Sequence, residues 1–133
     1  MQGERDLSTL LSSCKAELAD KIFVFASIKD NKIPPNIIPQ MSFYEAEGLT
    51  LILDKQAAES AGLDYTFECC MITLAIHSDL EAVGFMAHIS RLLADAGISV
   101  NPVAGYYHDH LFVPVSKADE AMRILENMNQ KSA

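Results

Sequence analysis

Two nine-residue stretches, EGLTLILDK (residues 47–55) and DHLFVPVSK (residues 109–117), follow one script: an acid, an alternating apolar run, a helix-capping residue and a lysine. The likeness extends outward. Residues 7–18, 22–28, 49–53 and 55–61 read as helix, strand, strand, helix. Residues 82–96, 98–104, 111–115 and 117–128 repeat that order, and a long apolar strand, 66–77, stands between the two sets. A duplicated unit of about 65 residues is marginal as an independent domain. The pattern therefore predicts an N-terminal half over 1–65 (αββα) and a C-terminal half over 66–133 (βαββα) that interlock and share sheet or core. Helices alternating with adjacent strand pairs imply an α+β, ferredoxin-like arrangement: an antiparallel sheet with its helices on one face.

Local signals supply the boundaries. Asp6 suits an N-cap for a helix with the apolar stripe Leu7, Leu10, Leu11, Cys14 and Leu18. Asp30–Asn36, with Pro34 and Pro35, reads as a loop. Asp54 caps a short helix closed by Gly62. Ser78-Asp79-Leu80-Glu81 has the capping-box spacing and is expected to open a helix with Ala82, Phe85, Met86, Ile89, Leu92, Leu93 and Ala96 inward and His88 on the surface, ended by Gly97. Ser116, with Asp119 three residues on, is expected to cap the last helix.

The residue balance narrows the function classes. Half of the 133 residues are hydrophobic, enough to fill a core, and the formal net charge of -8 argues against nucleic acid and anionic membrane as partners. No segment has the roughly 18–20 uninterrupted apolar residues of a membrane span, and the start, Met1-Gln2-Gly3-Glu4-Arg5-Asp6, lacks a basic region followed by an apolar one. A cytoplasmic location is expected. Three cysteines, two of them adjacent at Cys69 and Cys70, fit reduced apolar side chains.

The stretch ITLAIHSDLEAVGFMAHISRLLADAGISV (residues 72–100) resembles the opening of an ACT domain: a strand, a short polar turn, a glycine early in the next helix, and a second strand after AGI. With EAEGLTLIL, HSDLEAVG and NPVAGYYHDHLFVPV, the chain is similar more narrowly to small stand-alone bacterial proteins with two ACT-like halves and no assigned function, and distantly to tandem ACT arginine sensors of animal growth signalling. The resemblance covers nearly the whole chain. It implies the βαββαβ fold and a regulatory module that binds an amino acid or related metabolite.

The physical chemistry of a zwitterion locates the expected site. The turn His77-Ser78-Asp79-Leu80 precedes a helix whose first N–H groups and dipole suit a carboxylate. An ammonium needs acceptors, and Asp79, Glu47 and Asp109 are candidates, the last two at equivalent places in the repeat. The ligand-binding set is accordingly Glu47, Gly48, Thr50, His77, Ser78, Asp79, Leu80, Val83, Gly84, Asn101, Ala104, Gly105, Tyr106, His108 and Asp109, between the halves or between subunits. Plainer roles stand beside these. Ser78 and Glu81 can simply cap their helix, Gly84 can serve close packing, and Asn101 before Pro102 can be an edge residue. His108 and His110 share one strand face, with Asp109 on the other, and could chelate a metal if His77 joined them. No CxxC or HExxH spacing supports that. The reading is a non-catalytic module, without cofactor, that acts as a homodimer and through a separate effector protein. The alternatives are a structural interaction module with no ligand, and a metal-binding protein using His108 and His110.

Overall fold

The structure is a computed structural model and describes residues 3–76 and 79–132, with side chains through residue 128. Asp6 caps α1 (Leu7–Ser13), its Oδ2 accepting from the Thr9 amide at 2.9 Å. The helix stops five residues before the expected Leu18. From Ala16 the chain runs as β1 (Ala16–Ile28), tied at its entry by the Ala75 amide donating to the Lys15 carbonyl at 2.6 Å. Ala-Glu-Leu-Ala favours helix locally, but propensity is a weak prior against sheet pairing. A hairpin, β2 (Met41–Glu45) and β3 (Gly48–Asp54), follows the proline loop. Next come α2 (Lys55–Ser60), β4 (Thr66–Leu74), α3 (Phe85–Asp95), β5 (Asn101–Ala104), β6 (Asp109–Pro114), a 3-10 turn (Val115–Lys117) and α4 (Ala118–Ser132).

Two helix starts differ from expectation. α3 begins at Phe85, behind Gly84 in the left-handed region (φ 94°), so residues 79–83 form a turn where the capping box predicts helix. Ser116 lies inside the 3-10 turn and α4 starts two residues later. The expected helix ends hold: Gly62 and Gly97, at φ 68° and 75°, follow α2 and α3. There the Leu63 amide returns to the Ala58 carbonyl and the Ile98 amide to the Leu93 carbonyl, both at 3.0 Å, as in a Schellman closure.

The six strands run in the order β2-β3-β1-β4-β6-β5. The chain divides into two compact units, residues 20–69 and residues 1–19 with 70–133, so β1 and β4 each pass from one unit into the other. In this division α1 lies with the C-terminal segment. Each unit has the ferredoxin-like strand order. In the unit of residues 20–69, β1, β2 and β3 are the first three strands and the start of β4 is the fourth. Its first helix is replaced by the 29–40 loop. In the other unit, β4, β5 and β6 are the first three strands and the start of β1 is the fourth. The strand each half lacks when read alone is thus the start of β1 or of β4.

Within the unit of residues 20–69, β1 and β3 pair from Phe23↔Asp54 to Ile28↔Leu49, and β2 and β3 pair from Met41↔Ile52 to Glu45↔Gly48. Val24, Ala26, Leu49, Leu51, Leu53 and Ala58 make its core. The other unit packs Leu10, Cys14, Ile72, Leu74, Phe85, Ile89, Leu93, Leu111, Val113 and Leu125 together, from three helices and two strands. Each such aliphatic side chain contributes about 1.5–3 kcal/mol when fully buried, so this core fixes the head of α3 against the sheet.

Candidate functional site

A cleft of about 170 Å³ opens at the head of α3. It is lined by Asp79, Leu80 and Ala82 from the 79–84 turn, by Phe85 and Met86 from the first turn of the helix, and by Ala104 and Asp109 from the adjoining ends of β5 and β6. The Ala104↔Asp109 register pair closes the β5–β6 hairpin ladder, so both residues reach the cleft from one place. All these residues belong to one unit.

Helix α3 differs from α1 and α2 at its start. Asp6 and Asp54 cap α1 and α2 by side-chain hydrogen bonds, whereas Gly84 makes none. The N-cap residue of α3 thus gives its first N–H groups no side-chain hydrogen bond, at the positive end of an 11-residue helix.

Asp79 is held at its side chain, its carbonyl and its amide. Its side chain is one-tenth exposed and its Oδ2 sits 3.0 Å from Arg5 Nε. Its Oδ1 accepts from the Glu81 amide at 2.8 Å, its carbonyl accepts from the Ala82 amide at 2.9 Å, and its own amide donates to the Glu4 carbonyl at 2.8 Å. Residues 79–82, the described part of the stretch expected to open a helix, thus hold a turn instead, with Asp79 as its hydrogen-bonding centre.

The remaining expected residues divide by location. His77 and Ser78 lie outside the described residues. Val83 is exposed beside the cleft and Gly84 is the helix start, its nearest non-neighbour atom being Leu7 Cδ2 at 3.5 Å from an added Cβ. Asn101 is exposed on the end strand opposite Phe112. Gly105 turns the β5–β6 hairpin, its amide donating to the His108 carbonyl at 2.9 Å. An added Cβ would stand 3.0 Å from that carbonyl oxygen. Tyr106 and Tyr107 meet edge to face at 4.8 Å and are exposed. Glu47, Gly48 and Thr50 belong to the unit of residues 20–69 and are not among the residues of the cleft. Glu47 is in the hairpin turn, Thr50 donates to Glu45, and Gly48 is where β3 passes the Ile28 carbonyl.

The histidines are engaged with the backbone and with β4. His110 Nδ1 is 2.9 Å from Thr73 Oγ1 and His108 Nδ1 is 3.3 Å from the Ile76 carbonyl. Burial, and then the neighbouring His108, push the His110 pKa below its ordinary value. Among the described residues no group of three or more His, Cys, Asp or Glu is placed to hold a metal. The three cysteines are unbridged. Burial, and then Asp109, push the Cys14 thiol up to about 11, and burial raises Cys70 as well, so neither is activated as a thiolate. Among the described residues no helix is long and apolar enough to cross a membrane.

Phe85, Met86 and Ala82 are the cleft residues that sequence reasoning assigned only to the helix core. Gly84 was the available signal, since glycine is tolerated at an N-cap and costs about 1 kcal/mol inside a helix.

Residues 2–70 match the sequence model of an ACT domain, and residues 66–127 match a second ACT-domain model. Among solved structures, a Vibrio cholerae protein of unknown function, described as a possible transport protein, is 40% identical. The match covers 92% of this chain and 95% of that one, with a TM-score of 0.82. An Agrobacterium tumefaciens protein matches at 13% identity over 87% of this chain and 89% of its own, TM-score 0.74. The ligand-free regulatory subunit of aspartate kinase from Thermus thermophilus matches at 12% identity over 89% and 97%, TM-score 0.66. These last two likenesses concern the fold. No curated protein matches.

Proposed function

The chain belongs to the ACT-domain family, and from that premise we propose that it is a non-catalytic regulatory module that binds a small amino acid in the cleft at the head of α3. The observation that carries this reading is the juxtaposition of a helix N-terminus whose N-cap is a glycine with two carboxylates, Asp79 and Asp109, that line one small cleft. The helix end suits the ligand's carboxylate and the two acids lining the same cleft suit its ammonium. Leu80, Phe85 and Met86 offer apolar contact for a short side chain. About 170 Å³ is below the roughly 300–1,000 Å³ of pockets for drug-sized ligands, which favours a single small amino acid over a nucleotide or a peptide.

Ligand occupancy selects among arrangements of the 79–84 turn, and the output passes to a separate effector protein. The regulatory subunits of aspartate kinase that share the fold support such a division of labour. Three unbridged cysteines agree with a cytoplasmic setting. The test is a thermal-shift and NMR screen against the twenty amino acids. The reading expects one chemical class to raise the melting temperature and to shift the amides of residues 79–86 and 104–109. No shift with any amino acid at millimolar concentration would leave the structural interaction module as the better account.

A further inference from the structure

A cavity of about 370 Å³ opens in the unit of residues 20–69, where β3 stops before β1 does. The β1–β3 ladder ends at Phe23↔Asp54, because the chain there turns from β3 into α2. The residues of β1 before Phe23 run on past that point, with no strand on their β3 side among the described residues. Three of them in a row, Asp20, Lys21 and Ile22, are exposed and line the cavity. Successive side chains of a strand point to opposite faces, so a space that touches three in a row lies along the strand's edge. An open edge offers backbone donors and acceptors whose complement is another extended chain.

We propose that this notch binds a free peptide of about three residues in extended form, its backbone added to the β1 edge and its charged ends met by the carboxylates and lysines of the cavity. Both signs of charge are present: Asp20 and Lys21 from β1, Asp54 from the end of β3, Lys55 and Glu59 from α2. A polyanion would meet the three acids and a polyamine the two lysines, whereas a peptide carries one end of each sign. Several of these side chains are already set in place. Asp54 Oδ1 accepts from the Gln56 amide at 2.7 Å, Glu59 Oε2 accepts from the Tyr65 hydroxyl at 3.0 Å, and Lys55 Nζ donates to Glu68 Oε1 at 3.0 Å. Groups ordered beforehand lose little freedom when a ligand arrives. Since Lys55 is paired with Glu68, Lys21 is the cation assigned to the peptide carboxylate. Size agrees. Three residues of edge run about 10 Å, too long for one amino acid, and the volume falls in the roughly 300–1,000 Å³ range of small-molecule pockets. The inference does not rest on the α3 cleft, whose residues belong to the other unit.

Amide NMR with three probes reads each part of the proposal: Ala-Ala-Ala, alanine, and Ala-Ala-Ala acetylated and amidated at its ends. Ala-Ala-Ala at millimolar concentration is expected to shift the amides of residues 20–22 and 54–59 and to slow hydrogen exchange at the 20–22 edge. Alanine, too short to pair with the edge, should leave those amides unmoved. The blocked peptide keeps the backbone without the charged ends and should bind roughly tenfold more weakly. Lys21→Glu, a change at an exposed position, should weaken Ala-Ala-Ala by a similar factor and keep the melting temperature. No shift at residues 20–22 and 54–59, alanine moving them as much, the blocked peptide binding equally, or Lys21→Glu binding like wild type each overturns the proposal.

Discussion

Arg5 reaches across from the N-terminal segment to Asp79, its Nε 3.0 Å from Oδ2, while its Nη2 lies 2.9 Å from Glu81 Oε2. One guanidinium thereby spans the turn that walls the cleft. The pairing is asymmetric in solvent: Arg5 is half exposed, Asp79 one-tenth. Glu4 reinforces it from the same segment through its carbonyl, and its Oε1 accepts from the Arg5 and Asp6 amides at 3.1 and 3.0 Å. Residues 4–6 thus act as a strap that starts at the α1 cap and ends on the turn.

Removing the strap's charge should loosen the turn and leave the core in place. An exposed ion pair contributes about 0–1 kcal/mol, but a largely buried acceptor left without its donor costs about 1–3 kcal/mol. Arg5→Gln is expected to lower unfolding free energy by about 1 kcal/mol, within that range. Faster hydrogen exchange should be confined to residues 79–84 and the strap. Exchange measured by mass spectrometry checks this, and protection lost equally from β3 and β6 would show that the strap holds more than the turn.

Much of the architecture was legible because it rests on short-range chemistry. Asp6 and Asp54 announce caps, Gly62 and Gly97 announce helix ends, and the alternation of Leu49, Leu51 and Leu53 announces a strand with that face in the core. What was not legible depends on long-range pairing. Ala16–Lys21 has helical composition and becomes strand because its partner strand comes from residues some 50 positions on. Ser78-Asp79-Leu80-Glu81 has the spacing of a capping box, but the guanidinium that holds Asp79 and Glu81, that of Arg5, lies over 70 residues away in sequence. The cleft was half legible for the same reason. Asp79, Leu80, Ala104 and Asp109 could be assembled from turn positions, whereas Phe85 and Met86 join them only once the helix is known to begin at Gly84.

Gly48 and Gly97 separate two reasons for glycine. Both have positive φ, but an added Cβ at Gly48 would stand 2.8 Å from the Ile28 carbonyl oxygen and 2.9 Å from Ser27 Oγ, whereas at Gly97 nothing lies within 4 Å. Gly97→Ala should cost about 1–2 kcal/mol, the usual left-handed penalty. Gly48→Ala should cost more, roughly 2–5 kcal/mol, because overpacking adds about 1–3 kcal/mol. Urea denaturation of the two variants gives the comparison, and equal losses would mean that β3 yields at Gly48 without resistance.

His110 gives stability a pH dependence whose sign follows from burial. Its folded pKa lies below the unfolded value, because burial and then His108 disfavour the charged imidazole. The unfolded chain therefore binds more protons between the two pKa values, and stability falls as pH drops through the unfolded value of about 6.5 toward the folded one. Below both pKa values the contribution is lost. His110→Asn should flatten this dependence over the same window. Melting curves from pH 8 to pH 5, with the His110 ring titrated by NMR, test it. A His110 pKa above that of a random-coil histidine would reverse the sign.

Asp109 separates binding from folding at the α3 cleft. It faces the cleft from the first position of β6, and its register partner Ala104 stands beside it. Asp109→Asn keeps the shape of the side chain and removes its charge. A hydrogen bond to a charged group contributes about 1.5–3 kcal/mol, so an amino acid whose ammonium rests on Asp109 should bind roughly ten- to a hundredfold more weakly. Ala104→Leu, filling the same wall from an exposed position, should exclude the ligand by volume without loss of melting temperature. Titration calorimetry on the two variants distinguishes the contributions. If Ala104→Leu abolishes binding while Asp109→Asn binds like wild type, the ligand sits in the cleft and its ammonium rests on Asp79 and the carbonyls of the turn. If both variants bind as wild type does, the amino acid lodges elsewhere on the molecule.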